Sequence, residues 1–288
     1  MAEATVQPEQ ENWSEIIEPK TRLLDLRLKE LWRYRDLVLM FVRRDFVANY
    51  KQTILGPLWF FIQPLLTTLT YVLIFGRVAG LSTDGLPMLV FYLSGVTIWN
   101  YFAETLTKTA TVFKDNAQMF GKVYFPRLTM PFSIVISNLV RFGIQFFLFL
   151  LIWSWYYFST DSLHPNWYIL LTPVLVLMMG LLALGLGMII SALTTKYKDL
   201  IFLLTFGVQL LMFATPVIYP LSTLPEKYKW IILANPISSI VETFRFAFLG
   251  TDVFRWDYFA YSAGMTIAIL LLGTIVFNRV EKSFTDTV

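Results

Sequence analysis

Six apolar stretches of about 20 residues, at 58–79, 88–112, 131–158, 168–193, 201–219 and 258–277, constrain this chain most. A run of about 20 apolar residues in an α-helix spans a hydrocarbon core about 30 Å thick. Membrane strands would be short, alternating and closed into a barrel, a pattern the long continuous runs do not follow. Charged residues make up 15% of the 288, against roughly 25% in a soluble domain. The expected fold is therefore all-α: a polytopic membrane protein with six transmembrane helices.

Lys and Arg in the connections orient such a bundle. Residues 1–57 carry Lys20, Arg22, Arg27, Lys29, Arg33, Arg35, Arg43, Arg44 and Lys51. The second connection inside carries Lys114, Lys122 and Arg127, the third Lys196 and Lys198, and the tail Arg279 and Lys282. The opposite side has only Arg77 at a span edge and no Lys or Arg between Phe158 and Trp167. In 219–257 the bases Lys227, Lys229, Arg245 and Arg255 are balanced by Glu226, Glu242, Asp252 and Asp257. Both termini are thus expected in the cytoplasm. The first 30 residues lack the apolar core and small-residue cleavage site of a signal peptide. The division expected is a polar tail over 1–30, an amphipathic interfacial helix over 31–56, the six-helix domain over 57–280 and a short cytoplasmic tail over 281–288.

The stretch RRDFVANYKQTILGPLWFFIQP, residues 43–64, joins a basic segment to the first apolar run. Leu39, Val42, Phe46, Tyr50 and Ile54 recur every three or four residues, with Arg43, Arg44 and Lys51 mostly elsewhere on the wheel. That pattern describes a helix lying in the membrane surface. Pro57 is expected to end it, Gly56 to permit a turn, and Trp59 to start the first span at headgroup level. Alone, this is a mere anchor. Between the fifth and sixth runs, LPEKYKWIILANPISSIVETFRFAFLG is too apolar for a solvated loop and too interrupted for a span. Pro225 and Pro236 suggest two helix starts. Two short re-entrant helices at the outer interface are expected, with an ordinary outer loop as the simpler reading.

Chemistry-bearing motifs are sparse. The chain has no Cys and a single His, His164, so neither a thiolate nor a multi-His metal site is available. No GxxxxGK[ST] occurs, so the chain has no P-loop of its own to cradle a nucleotide phosphate. No carboxylate pair or Ser-His-Asp arrangement suggests an enzyme, so no catalytic residue is expected. Several polar groups sit where lipid makes them costly. Arg141 falls roughly 15 Å along the third run, and Glu104 and Lys108 share a helix face in the second. Gln63, Asn100, Asn138, Gln145 and Gln209 are milder cases. Pairing with Glu104, or snorkelling to the surface, is the simpler reading of Arg141.

Together, RRDFVANYKQTILGPLWFFIQPLL, KVYFPRLTMP and TPVIYPLSTLPEKYKWIILANPISSIVETFR resemble, in order, three segments of the ABC-2 type permeases that export polysaccharide: O-antigen, capsule or teichoic acid. The resemblance covers about residues 30–280. It implies a homodimer carrying two soluble ATPase subunits, with ATP and magnesium on those partners and none in this chain. Cargo would be a polysaccharide linked to undecaprenyl diphosphate or a related carrier, crossing the bacterial cytoplasmic (inner) membrane. No nucleic-acid partner is implied. The loop around Asn116, Gln118, Met119, Phe120, Lys122 and Tyr124 would dock in the ATPase, with Lys196 and Lys198 as a second contact. First and fifth spans would line the channel, making Trp59, Phe60, Tyr71, Phe75, Phe202, Phe206, Phe213 and Tyr219 the aromatic candidates for stacking on sugar rings. Arg43, Arg44 and Lys51 are candidates for the lipid diphosphate at the interface. Attraction for a diphosphate headgroup is the second reading of Arg141, but the family more often has an acidic residue near this point, so Arg141 is a departure and the resemblance carries no role over to it. Gly56 and Pro57 would be the elbow between surface helix and span. The helices at Pro225 and Pro236, with Glu242 and Arg245, would form an outer gate.

Three other readings stand beside this one. An ABC-2 permease for a smaller lipid or drug shares the fold. An ion-gradient-driven secondary transporter would need repeats and paired buried carboxylates, whereas Glu104 is the one acid deep in a run. A non-transporting scaffold is opposed by the three motifs alone.

Overall fold

The computed structural model of the protein describes residues 28–51, 53–120, 122, 125–197, 199–251 and 254–284, without the side chains of 28, 29, 49, 50 and 281–284. All regular structure among the described residues is helical. Leu28–Arg33 (α1) and Arg35–Tyr50 (α2) precede a 3₁₀ turn at Gly56–Leu58 and the helix Trp59–Tyr71 (α3), which continues as a π-helix over Val72–Val78. Met88–Ala110 (α4) is followed by two single turns, Val112–Asp115 (α5) and Ala117–Phe120 (α6). Then come Thr129–Ser159 (α7), Thr172–Lys196 (α8), Leu200–Phe213 (α9), Glu226–Leu233 (α10), Pro236–Leu249 (α11) and Trp256–Phe284 (α12).

Helix α4 is the centre of the bundle, with α3, α7, α8 and α11 packed around it. Every residue from Val90 to Trp99 is buried. A helix enclosed by protein needs no apolar outer face, which is why α4 tolerates Asn100, Glu104 and Lys108. Helices α8 and α12 meet at glycines, as expected where close packing must replace the hydrophobic effect. A Cβ on Gly273 would lie 2.4 Å from the Gly185 carbonyl oxygen, and one on Gly185 would lie 2.9 Å from the backbone of Ile269.

Among the described residues, four helices are long and apolar enough to cross a membrane: Gly56–Val78, Thr129–Ser159, Trp167–Lys196 and Trp256–Val280. Helix α4 has the length, 23 residues, or roughly 34 Å, but a polar second half. The fifth helix is shorter than expected. It stops at Phe213, because Pro216 supplies no N–H and disfavours helical geometry at Thr215. Residues 214–219 turn instead, with Val217 N–H donating to Thr215 O at 2.7 Å. Helices α10 and α11 start where the prolines pointed, and a 102° bend separates them.

The surface helix also differs from its sequence reading. It ends at Tyr50, with Lys51 extended, well before Pro57. Thr53 and Ile54 are β-branched, which weakens helix propensity, and both are exposed, so no packing compensates. Its buried face is set by Leu31, Val38 and Phe41, while Leu39 and Ile54 are exposed. The stripe is displaced because α2 packs on α7 and Phe41 contacts Phe125, 5.8 Å between ring centroids. Gly56 has φ +51° with nothing within 4 Å of a Cβ, so its requirement for glycine is conformational.

Gly273→Ala forces a Cβ into the Gly185 backbone, and overpacking of this kind costs about 1–3 kcal/mol. A drop in thermal midpoint of the detergent-solubilised protein checks this. Gly143→Ala, which meets open space, is the control and leaves the midpoint unchanged or raised.

Candidate functional site

One end of the bundle is organised by Arg245, 1% exposed on α11. Its Nη1 donates to Pro216 O and its Nη2 to Val217 O. Weaker contacts run from Nη1 to Tyr219 O at 3.5 Å and from Nε to Ser94 Oγ on α4 at 3.4 Å. The Glu242 carboxylate lies 3.5 Å away, and the guanidinium stands 3.9 Å over the Phe91 ring. Thus one cation gathers the turn after α9 onto α11 and α4. Gly95 makes room for it, since a Cβ there would lie 2.7 Å from Nη2.

The ends of α11 are closed with equal care. Asn235 caps its start by accepting from Ile237 N at 3.1 Å, and its Nδ2 donates to Thr215 Oγ1 at 2.9 Å. At the other end, the last four carbonyls of a helix lack intrahelical partners. Here Asn166 Nδ2 donates to Phe246 O, Asn166 N to Ala247 O, Trp153 Nε1 to Phe248 O and His164 N to Leu249 O, at 2.9, 3.1, 2.8 and 3.3 Å. The corner between α10 and α11 is pinned by Tyr261 and Ser262 of α12, donating to Ala234 O and Pro236 O. A cleft of about 430 Å³ opens between α10, α11 and the start of α12, lined by Trp230, Phe246, Tyr258, Glu242 and Arg255 among others. The residues named for an outer gate, Pro225, Pro236, Glu242 and Arg245, therefore all belong to one assembly. Sequence reasoning missed the supporting donors Asn166 and Trp153, which lie far along the chain from α11.

Inside the bundle, Arg141 Nη1 donates to Glu104 Oε2 at 2.8 Å. Lys108 Nζ lies 4.0 Å from the same oxygen and donates to Asn138 Oδ1 at 3.4 Å. The Arg141 guanidinium is 5.7 Å from the Phe60 ring, and Phe60 stacks on Phe46 of α2 at 5.3 Å. Of the surface cations, Arg44 is paired with Asp45 at 2.8 Å, while Arg43 and Lys51 are exposed.

The other end of the bundle is an aromatic joint. Phe113 stacks on Phe277 of α12 at 4.7 Å, and Phe120 stacks on Phe125 at 5.5 Å. With Phe41 on Phe125, the joint connects α2, the α5–α6 loop and α12. Asn116 Nδ2 donates to Val112 O, breaking the loop into single turns. Gln118 and Lys122 are exposed and Met119 and Phe120 half-buried; Lys196 is exposed. Tyr124 and Lys198 lie outside the described residues.

The channel candidates divide. Trp59, Phe202, Phe206 and Phe213 are exposed on α3 and α9, Phe202 at 81%. Phe60, Tyr71, Phe75 and Tyr219 are half-buried. Tyr71 OH points to Met212 Sδ at 3.5 Å, bringing the first and fifth helices together, and Tyr219 OH donates to Phe213 O at 2.9 Å. Among the described residues no group of His, Asp or Glu could hold a metal ion.

The profile of ABC-2 type transporters matches residues 36–249, from the surface helix to the end of α11. The chain belongs to this family. Similar members include the O-antigen export system permease protein RfbA of Myxococcus xanthus, 29% identical over 91% of this chain and 98% of that one. The protein of the same name from Klebsiella pneumoniae is 29% identical over 87% and 94%. The polysialic acid transport protein KpsM of Escherichia coli is 22% identical over 83% and 92%. In ABC-2 terms, the matched region begins at α2 and includes the α10–α11 pair, so both are integral to the family's domain.

Arg245→Lys leaves a charge but loses the two-pronged donation to the 216–219 turn. A buried carbonyl left without a donor costs about 1–3 kcal/mol. Hydrogen exchange at Val217 N–H, which is held within this turn, is expected to accelerate about tenfold or more, with α8 amides unchanged.

Proposed function

We infer that this chain is the membrane subunit of an ATP-driven exporter of lipid-linked polysaccharide. The observation that carries the reading is the near end-to-end similarity to permeases named for O-antigen export. That similarity takes in the surface helix, the elbow and the α10–α11 pair. The partner proposed is a soluble ATPase, two copies on a permease homodimer, with ATP and magnesium held there. The cargo proposed is a glycan on undecaprenyl diphosphate or a related lipid, moved across the bacterial inner membrane.

Each part of the structure has a place in this reading. Six passages of the chain, both termini inside, put α2, the α5–α6 loop and the joint at Phe113, Phe125 and Phe277 on the cytoplasmic side. ATPase movement against the α5–α6 loop would reach α2 through Phe120, Phe125 and Phe41, and reach the first span through the Gly56-Pro57 elbow. The exposed aromatics of α3 and α9 would face a channel between two copies, where ring faces stack on the C–H faces of sugars. The α10–α11 pair, with its bend and its Arg245 clamp, would close that channel outside. Against the ion-gradient alternative, Glu104 is already paired with Arg141, which leaves no unpaired acid on α4 or α7 among the described residues.

Gentle detergent purification from the native membrane is expected to yield an equal amount of a soluble subunit carrying a Walker motif. Isolation of the chain alone, with no ATPase captured by crosslinking before extraction, would remove the proposed engine. Replacing Gly56-Pro57 with Ala-Ala is expected to leave the assembled complex intact while uncoupling ATP hydrolysis from transport. Unchanged coupling, read as ATP used per glycan moved, sinks the elbow.

A further inference from the structure

The Glu104, Lys108 and Arg141 cluster holds more positive charge than it needs. Two cations converge on one carboxylate oxygen, Glu104 Oε2, leaving a formal excess of +1. The Arg141 side chain is only 9% exposed, yet its Nε and Nη2 have no hydrogen-bond partner. Its bond to Glu104 uses Nη1 alone. The Nε–Nη2 edge of a guanidinium presents two parallel N–H groups, spaced to fit two oxygens of a carboxylate or phosphate. Both nitrogens are closed off from solvent, and an edge left so is costly unless Arg141 turns to meet an acceptor.

The surroundings select the acceptor. The cluster adjoins Phe60 at the start of the first span, and Phe60 stacks on the surface helix α2. That places it beside the junction of the surface helix and the first span, on the side where basic connections accumulate. Lys108 is 40% exposed and Glu104 34%, so the cluster opens at one side. The net charge excludes a cationic ligand. On the surface helix itself, Arg44 is already neutralised by Asp45, whereas the Arg141 edge is unfilled.

We propose that Arg141 and Lys108 form a receptor for the phosphate oxygens of a lipid headgroup, with Glu104 and Asn138 holding the two cations in place. The proposal rests on the reading that the cargo travels on a phosphate-bearing lipid. It adds a binding position inside the bundle, above the surface cations. A headgroup seated there would lie against Phe60, and so against the span that the elbow moves.

The test uses the full chain with its co-purified ATPase, in nanodiscs of phosphatidylcholine. The probes are radiolabelled farnesyl diphosphate, farnesol and inorganic pyrophosphate, with binding read by equilibrium dialysis. The wild type is expected to bind farnesyl diphosphate saturably and farnesol not at all. Lys108→Gln, and Glu104→Gln with Arg141→Gln together, are each expected to weaken binding about tenfold or more, the scale of a lost hydrogen bond to a charged group. Lys227→Gln, on the outer side, leaves it unchanged. The paired substitution removes both charges at once, so no buried ion is left alone. Should that protein fail to assemble, the partly exposed Lys108 carries the test. No binding by the wild type would overturn both this inference and the lipid carrier. Wild-type binding that the variants match within twofold would overturn the inference alone. Equal affinity for inorganic pyrophosphate would make the site one for a soluble oxyanion and overturn the lipid assignment.

Discussion

Backbone polar groups inside a membrane protein must be satisfied within the protein, because hydrocarbon offers no partners. The α9–α11 region meets that requirement without a regular span. Helix α9 stops at Phe213, leaving the carbonyls of Pro216, Val217 and Tyr219 outside any helix, and Arg245 supplies donors to all three. The far end of α11 is closed by Asn166, His164 and Trp153. A buried guanidinium is costly by itself. Here four donated hydrogen bonds, a nearby Glu242 and the Phe91 face together offset that cost. Beside this clamp, the α10–α11 bend is held by Asn235, Tyr261 and Ser262.

A second constraint is the crowding of α4. Because it is surrounded, it can carry Asn100, Glu104 and Lys108 toward α7, whose Asn138, Arg141 and Gln145 answer them. This polar seam fixes the register of the two helices where apolar packing alone would allow sliding. It also places charge beside Phe60, close to the elbow. The glycine contact between α8 and α12 does the opposite work with no polarity, through close backbone approach.

Much of this was legible in the sequence. The long runs gave long helices, because apolar length is a direct physical requirement of the bilayer. Pro225 and Pro236 marked helix starts for a local reason, their fixed φ and missing N–H. The pairing of Glu104 with Arg141 followed from the cost of lone charges in lipid. What failed depended on distant contacts. The buried stripe of α2 is chosen by Phe125 and α7, which no wheel of α2 residues reveals. The turn beyond α9 is held by a clamp from α11, and the joint of Phe41, Phe113 and Phe277 draws on three separated segments. Gly56 was legible as a turn because its positive φ is a local property. The exposed aromatics could be named individually but not assigned to one surface, since half of the chosen eight turn toward the bundle.

Under the proposed function, the aromatic joint, the elbow and the Arg245 clamp form one path for ATP-driven movement of a lipid-linked glycan. The most direct test is translocation in proteoliposomes containing this chain and its ATPase, with a short lipid-linked glycan loaded in the outer leaflet, where inside-out complexes present their cytoplasmic face. Accessibility of the glycan to an external glycosidase reports its position. The account predicts that protection from the enzyme rises only with ATP and magnesium outside, and is unaffected by collapsing the proton gradient. Protection that appears without ATP, or that follows an imposed pH gradient, would contradict it.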